Sequence, residues 1–172
     1  MKYIKLFESF TSNLTQEQLR LVQSKEFKDW FGASKVVDEN GEPLIMYHGT
    51  DTVFDKFDTK KRKNYLGEKD LDAIFFTDQK WIAQGMGTNF ETPEKTIIMS
   101  AFISIQNPLT NDVLGIQPND KMPFGGMDVY EQNNKKILKL MKTGKYDGII
   151  LRGMDAKFEQ VVVFDDTKIK LI

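Results

Sequence analysis

The sequence contains no cysteine and a single histidine, His48. Without cysteine the chain can form no disulfide, no thiolate metal site and no cysteine nucleophile. One histidine is also too few for a histidine-rich zinc site, and it disfavours a triad that depends on histidine. We therefore expect no bound metal, and any chemistry must come from other side chains acting on a bound substrate.

A strong net charge and a long apolar run are also missing. The formal net charge is −1, which provides no general attraction to nucleic acid or to an anionic membrane. No apolar stretch approaches the roughly 20 residues that span a bilayer. With 172 residues, 40% of them hydrophobic and 28% charged, the composition is typical of one soluble globular domain in a reducing compartment.

Residues 1–12 stand apart from the domain that we place at 13–172. The segment starts basic, but Lys5 and Glu8 interrupt its apolar residues and no small-residue cleavage site follows, so a secretory signal is not indicated. It resembles the capsid-targeting peptides of tailed phages, which are cut after a Leu-x-Glu sequence, here residues 6–8. The alternative is a short helix or strand that docks on the domain.

Helical patterns cover residues 13–32, 77–86 and 129–143. Thr15 and Gln18 have the spacing of a capping box, and Thr77 is the expected N-cap of the second pattern. Strand patterns cover 35–38, 43–48, 73–76, 96–105, 148–152 and 160–164, with the first two joined as a hairpin. Residues 59–70 and 107–128 have loop composition. Because helices and strands follow no regular βαβ order, we predict an α+β fold.

Three segments offer polar or aromatic groups where a strand ends. His48 stands before Gly49 and Thr50, and a glycine there allows a ligand to approach the backbone. Phe75 and Phe76 precede Thr77, and because neighbouring strand residues face opposite ways, Phe76 is expected in the core while Phe75 can stack on a planar ring. Glu159 and Gln160 begin a valine-rich strand that must be buried. Each segment alone is also compatible with a purely structural role.

Together, Tyr47-His48-Gly49-Thr50, residues 73–78 and residues 159–165 resemble the three motifs of the His-Tyr-Glu class of ADP-ribosyltransferases. The likeness is closer to the transferase-like domains of phage and mobile-element polyvalent proteins. Those domains share the stretch at Trp30–Asp38, the Gly-x-Pro-Leu at 41–44 and the closing Phe-Asp-x-x-x-Ile-Lys at 164–170. The resemblance covers residues 24–172, with poor matching at 59–70 and 107–128.

The resemblance implies two mostly antiparallel sheets that form an NAD⁺-binding cleft flanked by helices. It also implies an NAD⁺-dependent mono-ADP-ribosyltransferase that passes ADP-ribose to a macromolecular acceptor, with protein favoured over nucleic acid. His48 would bond the adenosine ribose, Gly49 would hold the nicotinamide carboxamide with Thr50 beside it, and Phe75 would stack on nicotinamide. Met86 would form the wall on the other side of the nicotinamide ring. Thr77 lies in the same motif as Phe75.

The catalytic glutamate of the family falls on Gln160, which can accept a ribose hydroxyl but carries no charge. The adjacent Glu159 would face away on a regular strand unless a bulge turned it inward. Arg62, within the basic run 60–63, is the candidate for the NAD⁺ pyrophosphate, with Arg152 and Tyr65 as lesser candidates.

Three hypotheses follow from these assignments. The first is an active transferase. The second is a weak or inactive module that binds NAD⁺ or ADP-ribose. The third is a phage internal head protein. The first places the chain in the cytoplasm of a bacterial host for host takeover, with packaging in the phage head and injection as a compatible route.

Overall fold

The computed structural model describes residues 14–59, 73–87, 91–117, 126–153 and 159–172, and the side chains of 126–131 and 159 lie outside that description. The helices are α1 (Gln16–Gln23), α2 (Lys25–Phe31), α3 (Lys80–Met86), α4 (Asn111–Leu114) and α5 (Gly126–Met141). The strands are β1 (Met46–Thr50), β2 (Ile74–Thr77), β3 (Ile97–Ile103), β4 (Pro108–Thr110), β5 (Gly148–Arg152), β6 (Glu159–Val163) and β7 (Ile169–Leu171). None of these helices is long and apolar enough to cross a membrane.

The predicted first helix is two short helices that meet at Ser24. Thr15 forms the predicted capping box with Gln18, and the Ser24 hydroxyl then accepts the backbone N–H of Phe27 to start α2. Gly32 ends α2 with a φ of 55°. Phe27 and Phe31 of α2 pack on the buried Phe102 of β3, so the N-terminal helices are part of the domain core.

The predicted hairpin at 35–48 is much shorter than expected. A single β-bridge joins Val37 to Pro43, and regular strand begins only at Met46. The Asp38 carboxylate accepts the backbone N–H groups of Asn40 and Glu42, which satisfies donors that a strand ladder would otherwise use. The turn between these residues has Gly41 at a φ of 83°, a conformation that favours glycine.

Two other predictions are corrected by the structure. Thr77 is the last residue of β2 and not a helix N-cap; helix α3 begins after Gln79, and the Thr77 hydroxyl accepts the backbone N–H of Gln79. The predicted loop at 107–128 contains β4, α4 and the start of α5. Strand β4 escapes a period-based prediction because it is only three residues long and begins with proline.

The strands form one mixed seven-stranded sheet, in the order β4-β5-β6-β2-β1-β3-β7, where two sheets were expected. All pairings are antiparallel except that of β4 with β5. The α+β class is confirmed. Backbone pairing is least extensive in the middle of the sheet. Strands β1 and β2 share only the residue pair Tyr47–Thr77, whereas β1 and β3 share five residue pairs.

The connection between β3 and β4 shows that this sheet is strongly curled. In strand order β3 and β4 are five positions apart, which is roughly 24 Å in a flat sheet. Residues 104–107 join Ile103 to Pro108, and five chain steps reach at most about 18 Å. The two halves of the sheet must therefore turn toward each other.

Each face of the sheet packs a separate core. One face carries a cluster that includes Met46, Phe76, Ala101 and Val161, and Phe57 covers it from the loop after β1. The other face packs Ile149 and Val162 against helices α4 and α5. The burial of Phe76 at 2% exposure confirms its predicted core position.

The closing motif at 164–170 has a structural explanation. Asp165 caps the 3-10 turn Asp166–Lys168, and its Oδ1 accepts the backbone N–H of Thr167 at 2.9 Å and the hydroxyl of Thr167 at 2.7 Å. The indole of Trp30 donates to the Thr167 carbonyl at 2.9 Å. The motif therefore ties the N-terminal helices to the edge strand β7.

The cap formed by Asp165 also affects the pKa of its carboxyl group. The Thr167 hydroxyl and backbone N–H hold the pKa of Asp165 below its ordinary value of 3.8. Because the folded pKa is lowered, the stabilisation is present above pH 3.8 and is lost as the pH falls through the folded pKa. In Thr167→Val, we expect the Asp165 pKa to move up toward its ordinary value in a carboxyl-carbon NMR titration. An unchanged pKa would contradict the assigned cap.

Candidate functional site

A cleft lies where β1 and β2 separate. Beyond the pair Tyr47–Thr77, the register pairs no further residue of β1 with β2. A cavity of about 610 Å³ opens beside this segment. Its described walls are His48, Gly49, Thr50, Asp51, Thr52, Phe54, Phe57, Asp58, Ile74, Met86 and Gly87.

His48 is fixed in this cleft by a backbone carbonyl and aromatic rings. The side chain is 8% exposed, and its ring centroid lies 5.3 Å from that of Phe57 and 5.6 Å from that of Phe76. Its Nδ1 lies 2.8 Å from the Phe75 carbonyl oxygen. A carbonyl can only accept, so Nδ1 carries a proton and donates it to this hydrogen bond. His48 thus bridges β1 and β2 where their backbone pairing stops.

Gly49 is required by the packing of helix α3. A methyl group on Gly49 would overlap the backbone oxygen of Ala83 and lie 2.9 Å from the Gly87 nitrogen. A methyl group on Gly87 would lie 2.9 Å from the backbone of Gly49 in turn. The sequence predicted that a ligand would approach the α-carbon of Gly49. Helix α3 occupies that position instead. The backbone edge of β1 is the part of this segment that remains for a ligand to contact.

The structure brings together some of the predicted site residues. His48, Gly49, Thr50 and Met86 line the cleft. Phe75, Thr77 and Gln160 do not line it. Arg62 and the side chain of Glu159 lie outside the described residues, as does Tyr65.

Gln160 and His48 belong to opposite faces of the sheet. Gln160 pairs with Thr77 and, on its other side, with Leu151. Strand residues alternate in direction, so Gln160 shares a face with Val162, while Val161 shares the other face with the core of Met46 and Phe76. His48, two residues after Met46 and in ring contact with Phe76, is on that second face.

Gln160 carries an unsatisfied polar atom. Its side chain is 8% exposed, and its buried Oε1 has no hydrogen-bond partner among the described residues. An unpaired buried acceptor costs about 1–3 kcal/mol, so a bound donor would be favoured there. Phe75, half-buried on the same face, pairs through its backbone with Val162. Gln160 and Phe75 are therefore diagonal neighbours on adjacent strands.

The described ladder has no bulge at the start of β6. The register runs without interruption from Arg152–Glu159 through Leu151–Gln160 to Ile149–Val162. Positions 159 and 160 thus alternate as on a regular strand, and the bulge that would bring Glu159 to the face of Gln160 is not formed.

The described walls of the His48 cleft are acidic. Asp51 and Asp58 line it, and no lysine or arginine is among the described lining residues. Arg152 lines a different groove. Tyr47 precedes His48 in β1 and does not line the cleft; burial and then the nearby charge of Asp78 raise its pKa. No group of three or more potential metal ligands occurs in the described part of the chain.

Sequence reasoning missed the aromatic wall of the cleft. Phe54 and Phe57 lie in the loop after β1, with ring centroids 4.8 Å apart, and Phe57 is 5% exposed. The feature that could have revealed this wall is the pair Phe54 and Phe57 in a segment that otherwise has the composition of a turn. Gly87 was also missed, although a glycine after a helical pattern usually marks its end.

A comparison with protein-family models gives a match over most of the chain. The model of the family "ADP-Ribosyltransferase in polyvalent proteins" matches residues 38–172. No curated protein and no solved structure matches the chain significantly. The matched region contains every strand and all three motifs. The chain therefore belongs to the ADP-ribosyltransferase family of polyvalent proteins.

Proposed function

We propose that the chain is an NAD⁺-dependent mono-ADP-ribosyltransferase that modifies a macromolecular acceptor, a protein rather than a nucleic acid. The observation that carries the proposal is that the first family motif, His48 to Thr50, lines a cleft of about 610 Å³. That volume is within the range of pockets that hold small molecules and cofactors.

The described groups are suited to the ribose and the carboxamide of NAD⁺. The Nε2 of neutral His48 would accept a ribose hydroxyl. The edge of β1 beyond Tyr47 faces the cleft without a ladder partner in β2, so its backbone can pair with the carboxamide much as a strand would. The carboxylates of Asp51 and Asp58 would repel a pyrophosphate. Arg62 is therefore the proposed source of the positive charge that binds it.

The nicotinamide end would extend from the gap between β1 and β2 to the face of Phe75. There, Phe75 would stack on nicotinamide, Met86 would supply the facing wall, and Gln160 would accept the hydroxyl of the nicotinamide ribose. The buried Oε1 of Gln160, which no described residue pairs with, supports this role. Thr77, which pairs with Gln160 through the backbone, would keep its strand in register.

In the reaction, the bond between the ribose C1′ and the nicotinamide nitrogen breaks, and its electron pair leaves with nicotinamide. The positive charge that develops on the ribose is met by an acceptor nucleophile, which bonds to C1′ and releases a proton. The chain contributes binding and orientation. An amide at position 160 stabilises this charge less than a carboxylate would.

The test is nicotinamide release by purified protein incubated with NAD⁺ and bacterial extract. We expect His48→Asn to reduce release about a hundredfold, because asparagine can still donate to the Phe75 carbonyl but has no acceptor where Nε2 lies. Thermal unfolding of the variant gives the control for folding. The proposal would be contradicted if His48→Asn released nicotinamide at the wild-type rate. It would also be contradicted if calorimetry detected no binding of millimolar NAD⁺ to the native chain.

The second candidate is a module that binds NAD⁺ or ADP-ribose without turnover, and the amide at position 160 is the observation that favours it. It predicts NAD⁺ affinity without nicotinamide release.

A role as an internal head protein is tested separately. Mass spectrometry of virions should find a chain that starts at Ser9 if residues 1–8 are removed during packaging.

A further inference from the structure

The loop after β1 places two phenylalanine rings along the His48 cleft. Phe54 and Phe57 both line the cavity, with Phe57 buried and Phe54 partly buried. The Phe54 ring meets the Phe57 ring at 75° and is tilted by 60° against the His48 ring. Neither of these neighbours is stacked parallel to Phe54. A flat ligand ring in the cavity can therefore stack on the face of Phe54.

The carboxylate of Asp51 lines the same cavity and is held by a short turn. The Thr50 hydroxyl accepts the backbone N–H of Thr52 and donates to the Thr52 carbonyl, both at 3.2 Å. The Thr52 hydroxyl in turn donates to Oδ1 of Asp51 at 2.9 Å. Within the described part of the chain, the second oxygen of Asp51, Oδ2, accepts no hydrogen bond. This oxygen can therefore accept a donor from a ligand.

The parts of NAD⁺ differ in how well they match these walls. The pyrophosphate is anionic, so the carboxylates that line the cavity would repel it. The nicotinamide ring is proposed to lie on the opposite face of the sheet, against Phe75. Adenine is the other flat ring of the dinucleotide; it is uncharged, and its 6-amino group is a hydrogen-bond donor. An aromatic face next to a carboxylate oxygen therefore suits adenine.

We propose that the His48 cleft selects adenine among purine bases, with Phe54 stacking on the ring and the Asp51 carboxylate accepting its 6-amino group. The inference rests on the proposed function, because it places the adenosine end of NAD⁺ in this cleft. Hypoxanthine and guanine carry an oxygen in place of the 6-amino group. In the same pose, that oxygen would turn an acceptor toward the carboxylate, so the hydrogen bond would be replaced by repulsion.

The test compares the calorimetric affinity of the full chain for NAD⁺ and for nicotinamide hypoxanthine dinucleotide, in which an oxygen replaces the 6-amino group. We expect the native chain to bind NAD⁺ about tenfold more tightly, since the lost hydrogen bond is to a charged group. An asparagine side chain can donate as well as accept, so Asp51→Asn should bring this ratio close to one.

Two further variants separate the roles of charge and stacking. Asp55→Asn removes the same charge from an exposed residue of the same loop that does not line the cavity, so the native ratio should be kept. Phe54→Leu keeps an apolar side chain but removes the aromatic face. It should weaken the binding of both dinucleotides about tenfold and leave their ratio unchanged.

The inference would be overturned by a native ratio near one, by a ratio that falls equally in Asp51→Asn and Asp55→Asn, or by native affinities in Phe54→Leu. Nicotinamide release tests the transferase separately. Equal affinity for both dinucleotides, together with release, would contradict the selection of adenine and leave the transferase intact. A preference for NAD⁺ that depends on Asp51, in a chain that releases no nicotinamide, would support the selection of adenine and contradict the transferase.

Discussion

Replacing Gln160 by glutamate is expected to raise the rate of nicotinamide release by about a hundredfold, the magnitude of a well-placed electrostatic group in a dry site. Gln160 is 8% exposed, and its buried Oε1 has no partner in the part of the chain that the structure describes. A carboxylate at that position would still accept the ribose hydroxyl and would add a negative charge near the cation that forms as nicotinamide leaves. The measurement is the initial rate with saturating NAD⁺.

Two control variants show which residue supports the reaction. Gln160→Met keeps the length of the side chain but removes the acceptor, so it should abolish the remaining release. Glu159→Gln should leave the rate unchanged, because the regular ladder turns positions 159 and 160 to opposite faces of the sheet. A Gln160→Glu variant that folds, binds NAD⁺ and turns over no faster than the native chain would favour the binding module over the transferase.

Gly49→Ala is expected to destabilise the domain by about 3 kcal/mol or more, the upper range for overpacking. The new methyl group would overlap the backbone oxygen of Ala83, and neither backbone can yield without moving helix α3. Denaturant unfolding measures the loss. Movement of α3 would also displace Met86, so NAD⁺ binding should weaken in whatever fraction stays folded.

Gly41→Ala provides the matched comparison. Gly41 has a φ of 83° and no atom within 4 Å of an added methyl group, so its cost is conformational alone, about 1 kcal/mol. If the two variants lost the same stability, the tight contact between β1 and α3 would be contradicted. If Gly49→Ala were harmless, the position of α3 over the first motif would be wrong.

Patterns that depend on neighbouring residues were read correctly from the sequence. The capping box of Thr15 and the positive φ of Gly41 depend on contacts within a few residues. Along β3, Ala101 and Ile103 share one core as the alternation predicted, but Phe102 between them is buried too, in the core of α2. The motif around His48 does line a cleft, but its predicted place at a strand end is wrong, because β1 continues through it to Thr50. The aromatic pair Phe75–Phe76 was correctly divided between a core ring and a partly buried one.

Features that depend on distant strands could not be read in the same way. The curling of the sheet follows from the short link between β3 and β4, and its meaning is clear only once the strand order is known. The opposite faces of His48 and Gln160 depend on the register of β1, β2 and β6, which no local pattern specifies. Thr77 was misassigned because its hydroxyl accepts from Gln79 one turn before α3 begins.

The most direct test of the account uses the fact that His48 is the only histidine in the chain. Its imidazole gives one pair of ring-nitrogen resonances in a long-range ¹⁵N–¹H NMR spectrum, and these report both the tautomer and the contact with NAD⁺. The account predicts a neutral ring protonated at Nδ1 and a shift of the Nε2 resonance when NAD⁺ is added. A ring protonated at Nε2, or resonances that do not move at millimolar NAD⁺, would contradict the assignment of this cleft.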